Sequence, residues 1–189
     1  MMAPNLDRLL TDPELSSYRE SLLEQLFCVE LIEACWLSGL GVVEIAHSLV
    51  DFRGYDLIAT CNGVIRHLQL KGAAGAKTPR LAVHRSLEDV PAGCLVLIKP
   101  AVSGERISMS YRFCGDSANE GAPGPFTIDA SWTKAKNSRS SIGDDGIPYK
   151  ADRKNHVYVP MGALEPIKGA ETKAELVTRL FGRPRGITL

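Results

Sequence analysis

Residues 51–71 read DFRGYDLIATCNGVIRHLQLK, and this stretch decides the fold. Its centre is Asn62-Gly63, a dipeptide in which both residues tolerate positive φ. Such a pair is a strong signal for a tight turn between two antiparallel strands. Apolar residues flank the turn on both sides. We therefore predict a hairpin whose strands cover 56–60 and 64–71.

The period of the second strand decides which of its side chains lie together. Successive side chains on a strand point to opposite faces, so Gln69 and Lys71 share one face with His67. Asp56 begins the first strand and Lys71 ends the second, which places both at the same end of the hairpin. Because paired strands lie ~4.8 Å apart, an aspartate, an amide and an ammonium are expected to converge there.

This combination of side chains can hold a divalent cation and act on a phosphodiester. Mg²⁺ prefers hard oxygen ligands and keeps several waters, so Asp56 and the side-chain oxygen of Gln69 are candidate metal ligands. Lys71 can orient an attacking water or stabilise the charge that develops on the phosphate. Each residue also has an ordinary structural alternative. These are an acid at the start of a strand, a polar residue bonded across the strand pair, and a solvated lysine.

The pattern D-x-x-G-x-D followed by Q-x-K is formed here by Asp51, Gly54, Asp56, Gln69 and Lys71. It resembles the PD-(D/E)XK nuclease superfamily, which includes restriction endonucleases, archaeal-type Holliday-junction resolvases and many uncharacterised bacterial proteins with this pattern. The resemblance covers roughly residues 19–99. It implies a restriction-endonuclease-like fold and Mg²⁺- or Mn²⁺-dependent hydrolysis of phosphodiester bonds in DNA. The sequence departs from the family at Gln69, where the usual residue is a metal-binding glutamate.

The resemblance also implies a glutamate on the first helix that points at the metal. In resolvase-like relatives this acid lies about three helical turns before the glycine that ends the helix, and counting back from Gly39 reaches Cys28. Glu24 lies one turn earlier on the same face and is the favoured catalytic and metal-binding candidate, with Glu30 as the alternative. Glu24 and Glu30 are six residues apart, which puts them on different faces of the helix.

A second group of residues is predicted to contact the substrate. Lys77 and Arg80 follow the motif closely and are placed to meet a backbone phosphate. Lys134 and Lys136 belong to a basic stretch that also contains Trp132, a pattern typical of a phosphate-tracking surface with stacking rings. The alternative is a solvated loop, because aspartates dilute the charge of the same stretch.

Composition weighs against several other classes of protein. Lys+Arg and Asp+Glu both number 22, and this neutrality weakens the case for nucleic acid without excluding it. Five cysteines without C-x-x-C spacing favour reduced core residues over zinc or disulfides. There is no G-x-S-x-G, P-loop or H-x-x-x-H pattern. No stretch approaches about 18 apolar residues, so we expect a cytoplasmic protein without a membrane partner.

The N-terminal part of the chain is predicted to contain one long helix. Residues 1–13 are expected to form a loosely held arm, and apolar residues at near-helical spacing predict a helix over 14–37. From residue 26 onwards this helix is apolar nearly all round, which indicates that it is largely buried.

Together these patterns predict one α/β domain over 1–189, with a mixed central sheet of about five strands flanked by helices. The nuclease-like core covers 14–114, a loop-rich insertion covers 115–155, and a strand and a helix follow within 156–189. The expected partner is nucleic acid, most simply DNA, and a homodimer is compatible with this organisation. Gln69 and the neutral charge favour the alternative, a catalytically inactive nucleic-acid or protein binding module on the same fold.

Overall fold

The computed structural model describes residues 5–49, 53–73, 80–135, 141–142, 148–149, 154–167 and 172–184. Asp51 of the motif and two candidate substrate contacts, Lys77 and Lys136, lie outside the described residues. Among the described residues, no helix is both long and apolar enough to cross a membrane.

In the described chain two α-helices precede the strands and a third follows them. The helices are α1 (Leu6–Thr11), α2 (Ser16–Leu37) and α3 (Thr172–Phe181). The strands are β1 (Glu44–His47), β2 (Leu57–Cys61), β3 (Val64–Gly72), β4 (Leu81–His84), β5 (Gly93–Ser103), β6 (Arg106–Gly115), β7 (Ser141–Ile142), β8 (Pro148–Tyr149), β9 (His156–Val159) and β10 (Glu165–Pro166). Short 3₁₀ turns cover Pro13–Leu15, Arg85–Asp89, Ala118–Glu120 and Met161–Ala163.

Within the described residues, the main sheet has six strands in the order β1-β2-β3-β5-β6-β10. Strands β3 and β5 run parallel and the other neighbours run antiparallel, so the α/β class with a mixed central sheet is confirmed. The sixth strand, β10, is a two-residue edge strand that the sequence did not signal. Two small sheets, β4-β9 and β7-β8, accompany the main one.

The β2–β3 hairpin forms at the Asn62-Gly63 turn. Asn62 and Gly63 have φ values of 51° and 72°. Two consecutive positive φ values are what a type I′ two-residue hairpin turn requires. The register pairs Cys61 with Val64 and Leu57 with Leu68. The strands therefore occupy 57–61 and 64–72, within one residue of the prediction at each end.

Two hydrophobic cores lie on opposite faces of the main sheet. The first core joins α2 and α3 to one face, with Phe27 and Leu31 of α2 packed among residues such as Leu68. The second core lies against the other face, where Leu95 and Leu97 of β5 meet the β4-β9 sheet. The molecule is therefore layered, with helices on one side of the sheet and a small sheet on the other.

The expectation that α2 is largely buried is wrong. Its buried stripe consists of Leu23, Phe27, Leu31, Ala34 and Cys35. The opposite face is exposed although it is also apolar. The reason is geometric, because the sheet and α3 cover only one side of this helix. The N-terminal arm also differs from the prediction, since residues 6–11 form α1 with an Asn5 side-chain cap.

The hairpin also closes the C-terminal end of α3. Arg66 is fully buried, and its guanidinium donates to the carbonyl groups of Leu180 at 2.7 Å, Arg179 at 2.8 Å and Asp116 at 2.7 Å. The Asn62 amide donates to two further carbonyl groups just beyond, each at 3.0 Å. Carbonyl groups in the last turn of a helix lack partners within the helix, and the hairpin supplies them.

Candidate functional site

A cleft of about 310 Å³ lies where β3 ends beneath α2. Three of the predicted site residues, Asp56, Lys71 and Glu24, line it together. The other lining residues are Glu20, Leu23, Leu70, Gly72 and Ile98. The structure therefore brings a carboxylate from the start of β2, a lysine from the end of β3 and a helical glutamate to one cavity.

Asp56 is held in place by both neighbouring strands. Its carboxylate accepts a hydrogen bond from the backbone N–H of Leu70 at 2.6 Å. Its own N–H donates to the carbonyl group of Leu68 at 2.8 Å, and its carbonyl group accepts from Ser48 N–H at 2.9 Å. These contacts fix both the backbone and the carboxylate, so the acid reaches the cleft in a defined orientation.

Gln69 does not line the cleft. Its side chain is 3% exposed and its Oε1 has no hydrogen-bond partner among the described residues. Gln69 pairs with Leu95 in the parallel ladder and so faces the second core. Because Leu57 pairs with Leu68, the next position along the ladder sets Asp56 beside Gln69. A buried acceptor without a partner costs about 1–3 kcal/mol, which marks this amide as a candidate ligand for a cation or a donor.

Glu24 approaches the cleft from the helical side of the sheet. Its Oε1 lies 2.7 Å from Nδ1 of His47 on β1. Gln69 and Lys71 lie on the other face of β3, because they are in register with Leu95 and Leu97. The candidate site therefore straddles the end of the sheet. The structure does not bring all four predicted residues, Asp56, Gln69, Lys71 and Glu24, to one face of the sheet.

Glu30, the alternative helical acid, lies away from the cleft. Its carboxylate accepts a hydrogen bond from the Tyr111 hydroxyl at 2.5 Å and forms an ion pair with Lys173 at 3.3 Å. Burial, with the hydrogen bond to Glu30 as the next cause, raises the pKa of Tyr111 well above its ordinary value. Glu30 thus ties α2 to β6 and α3.

The acids present set a limit on how a metal could be held. Among the described residues, no group of three or more His, Cys, Asp or Glu side chains is arranged to hold a metal ion. Mg²⁺ is commonly bound through one or two carboxylates and keeps several waters. Asp56 and Glu24, which line the cleft, fit that sparse type of site, whereas the buried Oε1 of Gln69 lies beside Asp56 and outside the cleft lining.

The predicted substrate contacts that the structure describes lie in a second pocket or beside it. Arg80 places its guanidinium 5.8 Å from the ring centroid of Tyr158, and both residues line a pocket of about 330 Å³ with Trp132. Trp132 is held edge-on against Phe126, with 6.1 Å between ring centroids. Lys134 is exposed and follows Trp132 in a short bridge to β9.

Sequence reasoning missed His47 and Glu20 as neighbours of the site. Glu20 lies one turn before Glu24 on α2 and lines the same cleft. His47 is 23 residues from Glu24 in sequence. No local pattern connects the two, because their contact depends on how α2 crosses the edge strand.

Comparison with protein-family models gave no match. Searches among curated proteins and among solved structures also returned no significant match.

Proposed function

We propose that this chain is a Mg²⁺- or Mn²⁺-dependent nuclease that hydrolyses phosphodiester bonds in DNA at the cleft described above. The observation that carries the proposal is the meeting of Asp56, Lys71 and Glu24 in one cavity, although they come from three different elements. The order of helix, strand, hairpin and strand in the described core supports the resemblance to the PD-(D/E)XK superfamily.

Each site residue has a role that follows from its chemistry. A divalent cation, when bound, supplies a Lewis acid beside the phosphate. Asp56 and Glu24 line the cleft and offer oxygen ligands, Glu24 either directly or through water. The unpartnered Oε1 of Gln69, which lies beside Asp56 but outside the cleft lining, is proposed as a further ligand. Lys71 offers an ammonium that can orient the attacking water and stabilise the negative charge that develops on the phosphate. The hydrogen bond from Leu70 N–H keeps the Asp56 carboxylate oriented before any ligand arrives.

The second pocket supports a nucleic-acid substrate. Arg80 presents a cation that is already stacked on Tyr158, and Trp132 lies in the same pocket. Cations bind backbone phosphates, and aromatic rings stack with bases of any sequence. Arg80 and Lys134 are accordingly proposed as substrate contacts on the face of the sheet where Lys71 also lies.

A plasmid-nicking assay tests the proposed activity. We expect nicking in the presence of Mg²⁺ or Mn²⁺ and none with excess chelator. Asp56→Asn and Lys71→Ala should each lower the rate about 100-fold, because each removes a group that stabilises charge in the transition state. Asp89→Asn and Arg106→Ala, which change an exposed acid and an exposed strand-end cation, are matched controls and should retain the wild-type rate.

Two outcomes of this assay reject the proposal. Nicking that survives both site substitutions must come from another source. A folded protein that binds DNA but cleaves it with neither metal favours the second candidate, a non-catalytic binding module. The amide of Gln69, where an acid is usual, favours that candidate. A metal titration separates the two, because a cation that binds only the folded state raises the melting temperature.

The alkylation rate of Cys28 tests whether Glu24 binds the metal, without any measurement of DNA cleavage. Burial, with the charge of Glu24 as the second cause, raises the pKa of Cys28 to about 11. A thiol reacts as its thiolate, so a lower pKa means faster alkylation. We therefore expect Glu24→Gln to speed native-state alkylation of Cys28 several-fold at pH 9. Millimolar Mg²⁺ should speed it in the wild type but not in Glu24→Gln.

Peptide mapping by mass spectrometry gives the rate at each cysteine. Cys35, Cys61, Cys94 and Cys114 are buried and serve as internal controls for unfolding. If Mg²⁺ leaves the rate at Cys28 unchanged in the wild type, Glu24 is not a metal ligand.

A further inference from the structure

Helix α2 carries a second, mainly apolar stripe opposite the one buried in the core, and Tyr18 at the N-terminal end of this stripe also lines a pocket with Leu9 of α1. Tyr18 is 64% exposed, Val29 63%, Ile32 52% and Trp36 66%. Leu22 is half-buried and lies between them. The full stripe is Tyr18, Leu22, Gln25, Val29, Ile32 and Trp36. Solvent-exposed apolar side chains in such a continuous row are uncommon on monomeric proteins and mark interaction surfaces.

The spacing of this stripe indicates the kind of partner. Its members are separated by 4, 3, 4, 3 and 4 residues. That alternation is the 3.5-residue period of a coiled-coil seam, in which a second helix lies alongside the first. Helix α2 has 22 residues and is therefore about 33 Å long, enough for five turns of such contact.

We propose that the stripe is the interface with a second copy of this chain, in which the two α2 helices pair antiparallel about a two-fold axis. Antiparallel pairing aligns Tyr18 with Trp36 of the second copy, Leu22 with Ile32, and Gln25 with Val29. Every member of the stripe then faces another member. A two-fold interface requires this self-complementarity.

The charges beside the stripe agree with antiparallel pairing. Arg19 and Glu33 lie on the same flank of the stripe, two heptads apart, and antiparallel pairing brings Arg19 of each copy towards Glu33 of the other. The Arg19 guanidinium is steadied by hydrogen bonds to the carbonyl groups of Leu9 and Asp12, which leave its charge in place. The Glu33 side chain is 55% exposed and already forms an ion pair with Lys173 at 3.1 Å, so Arg19 of the second copy would join an existing pair. Opposite charges that flank a helical seam determine partner and orientation.

The apolar area is also sufficient. An aromatic side chain buries roughly 150–250 Å², and two rings that are each about two-thirds exposed contribute on the order of 250 Å². With Val29 and Ile32 of the stripe, and with Leu37 beside it, which is 77% exposed, α2 offers on the order of 500 Å² on each copy. Two copies then bury about 1,000 Å², the lower end of what a specific interface needs.

Molar mass measured by light scattering during size-exclusion chromatography tests the proposal. We expect the full chain, injected at about 100 µM, to elute at twice its 20.5 kDa mass. Val29→Glu/Ile32→Glu should elute at the single-chain mass with an unchanged circular dichroism spectrum, since both positions are exposed in the isolated chain. Ser17→Glu, an exposed position of the same helix outside the stripe, should leave the dimer intact.

Cross-linking tests the direction of pairing. In a Cys28→Ser background, a short bismaleimide should join Leu22→Cys to Ile32→Cys when the two single variants are mixed. Ile32→Cys alone should give little product, because the two copies of position 32 lie about 15 Å apart along an antiparallel pair. Efficient cross-linking of Ile32→Cys to itself overturns the antiparallel arrangement. A wild-type chain that stays monomeric at 100 µM, or a Val29→Glu/Ile32→Glu variant that remains dimeric, overturns the interface itself. Neither experiment depends on the nuclease proposal.

Discussion

Replacing Arg66 with alanine is expected to lower the free energy of unfolding by about 4 kcal/mol, close to a thousandfold change in the folding equilibrium. The substitution removes three hydrogen bonds from a charged donor to carbonyl groups, two of them in the last turn of α3. Those carbonyl groups are then left in the interior without partners. Arg66 also lies 5.9 Å from the centroid of the Phe113 ring, and that contact is lost as well.

Urea unfolding followed by circular dichroism measures the loss. Arg66→Met keeps most of the volume and removes the donors, so it should still cost about 3 kcal/mol. Arg106→Ala, an exposed arginine on β6, is the control and should fall within about 0.5 kcal/mol of the wild type. If Arg66→Met costs less than about 1 kcal/mol, then packing accounts for the stability at this position and the helix-end hydrogen bonds do not.

Gly54→Ala is expected to cost about 3 kcal/mol, through two separate effects. Gly54 has a φ of 72°, a conformation that alanine rarely adopts. A Cβ at this position would also lie 2.6 Å from the Cβ of His84, well inside contact distance. Because Asp56 is two residues further on, the forced movement should also displace its carboxylate from the cleft.

Gly41→Ala separates the two effects. Gly41 has a φ of 89°, but a Cβ there meets nothing within 4 Å, so this variant carries the backbone strain alone. We expect it to cost about 1 kcal/mol in urea unfolding. In addition, His84→Gly should recover part of the loss in Gly54→Ala, because it removes the Cβ that clashes. Equal costs for Gly54→Ala and Gly41→Ala would show that the approach of His84 contributes nothing.

The parts of the fold that sequence predicted well depend on local chemistry. The hairpin follows from Asn62-Gly63, since only that turn gives two positive φ values cheaply. Strand β5 contains a continuous apolar run over 94–98, and α3 ends where Gly182 takes a φ of 78°. The pairing of β3 with β5 and of β4 with β9 joins distant segments, and no local pattern specifies such partners.

The long helix shows why the period of apolar residues was misleading. Two apolar stripes on opposite faces of α2 look in sequence like one helix buried on all sides. Only the position of the sheet distinguishes the stripe that packs in the core, which contains Phe27, from the stripe that faces solvent, which contains Trp36.

The candidate site was predictable only where local register or helix spacing determines the position of a residue. Asp56 and Lys71 are placed by the hairpin register, and Glu24 by counting along the helix. The side of the sheet on which each residue lies depends on where α2 packs, so the burial of Gln69 on the opposite face could not be read from its spacing. Arg66 gave no signal at all, because the three carbonyl groups to which it donates lie 50, 113 and 114 residues away in sequence.

That separation has a consequence for biosynthesis. A ribosome makes the hairpin first, and the carbonyl group of Leu180 is joined to the chain 114 residues after Arg66. At typical elongation rates this interval lasts roughly 6–20 s. During that time the guanidinium has no helix end to bind and remains hydrated, which keeps water against the strand that later becomes the middle of the sheet. The nascent chain can therefore complete this part of its interior only after α3 has been made.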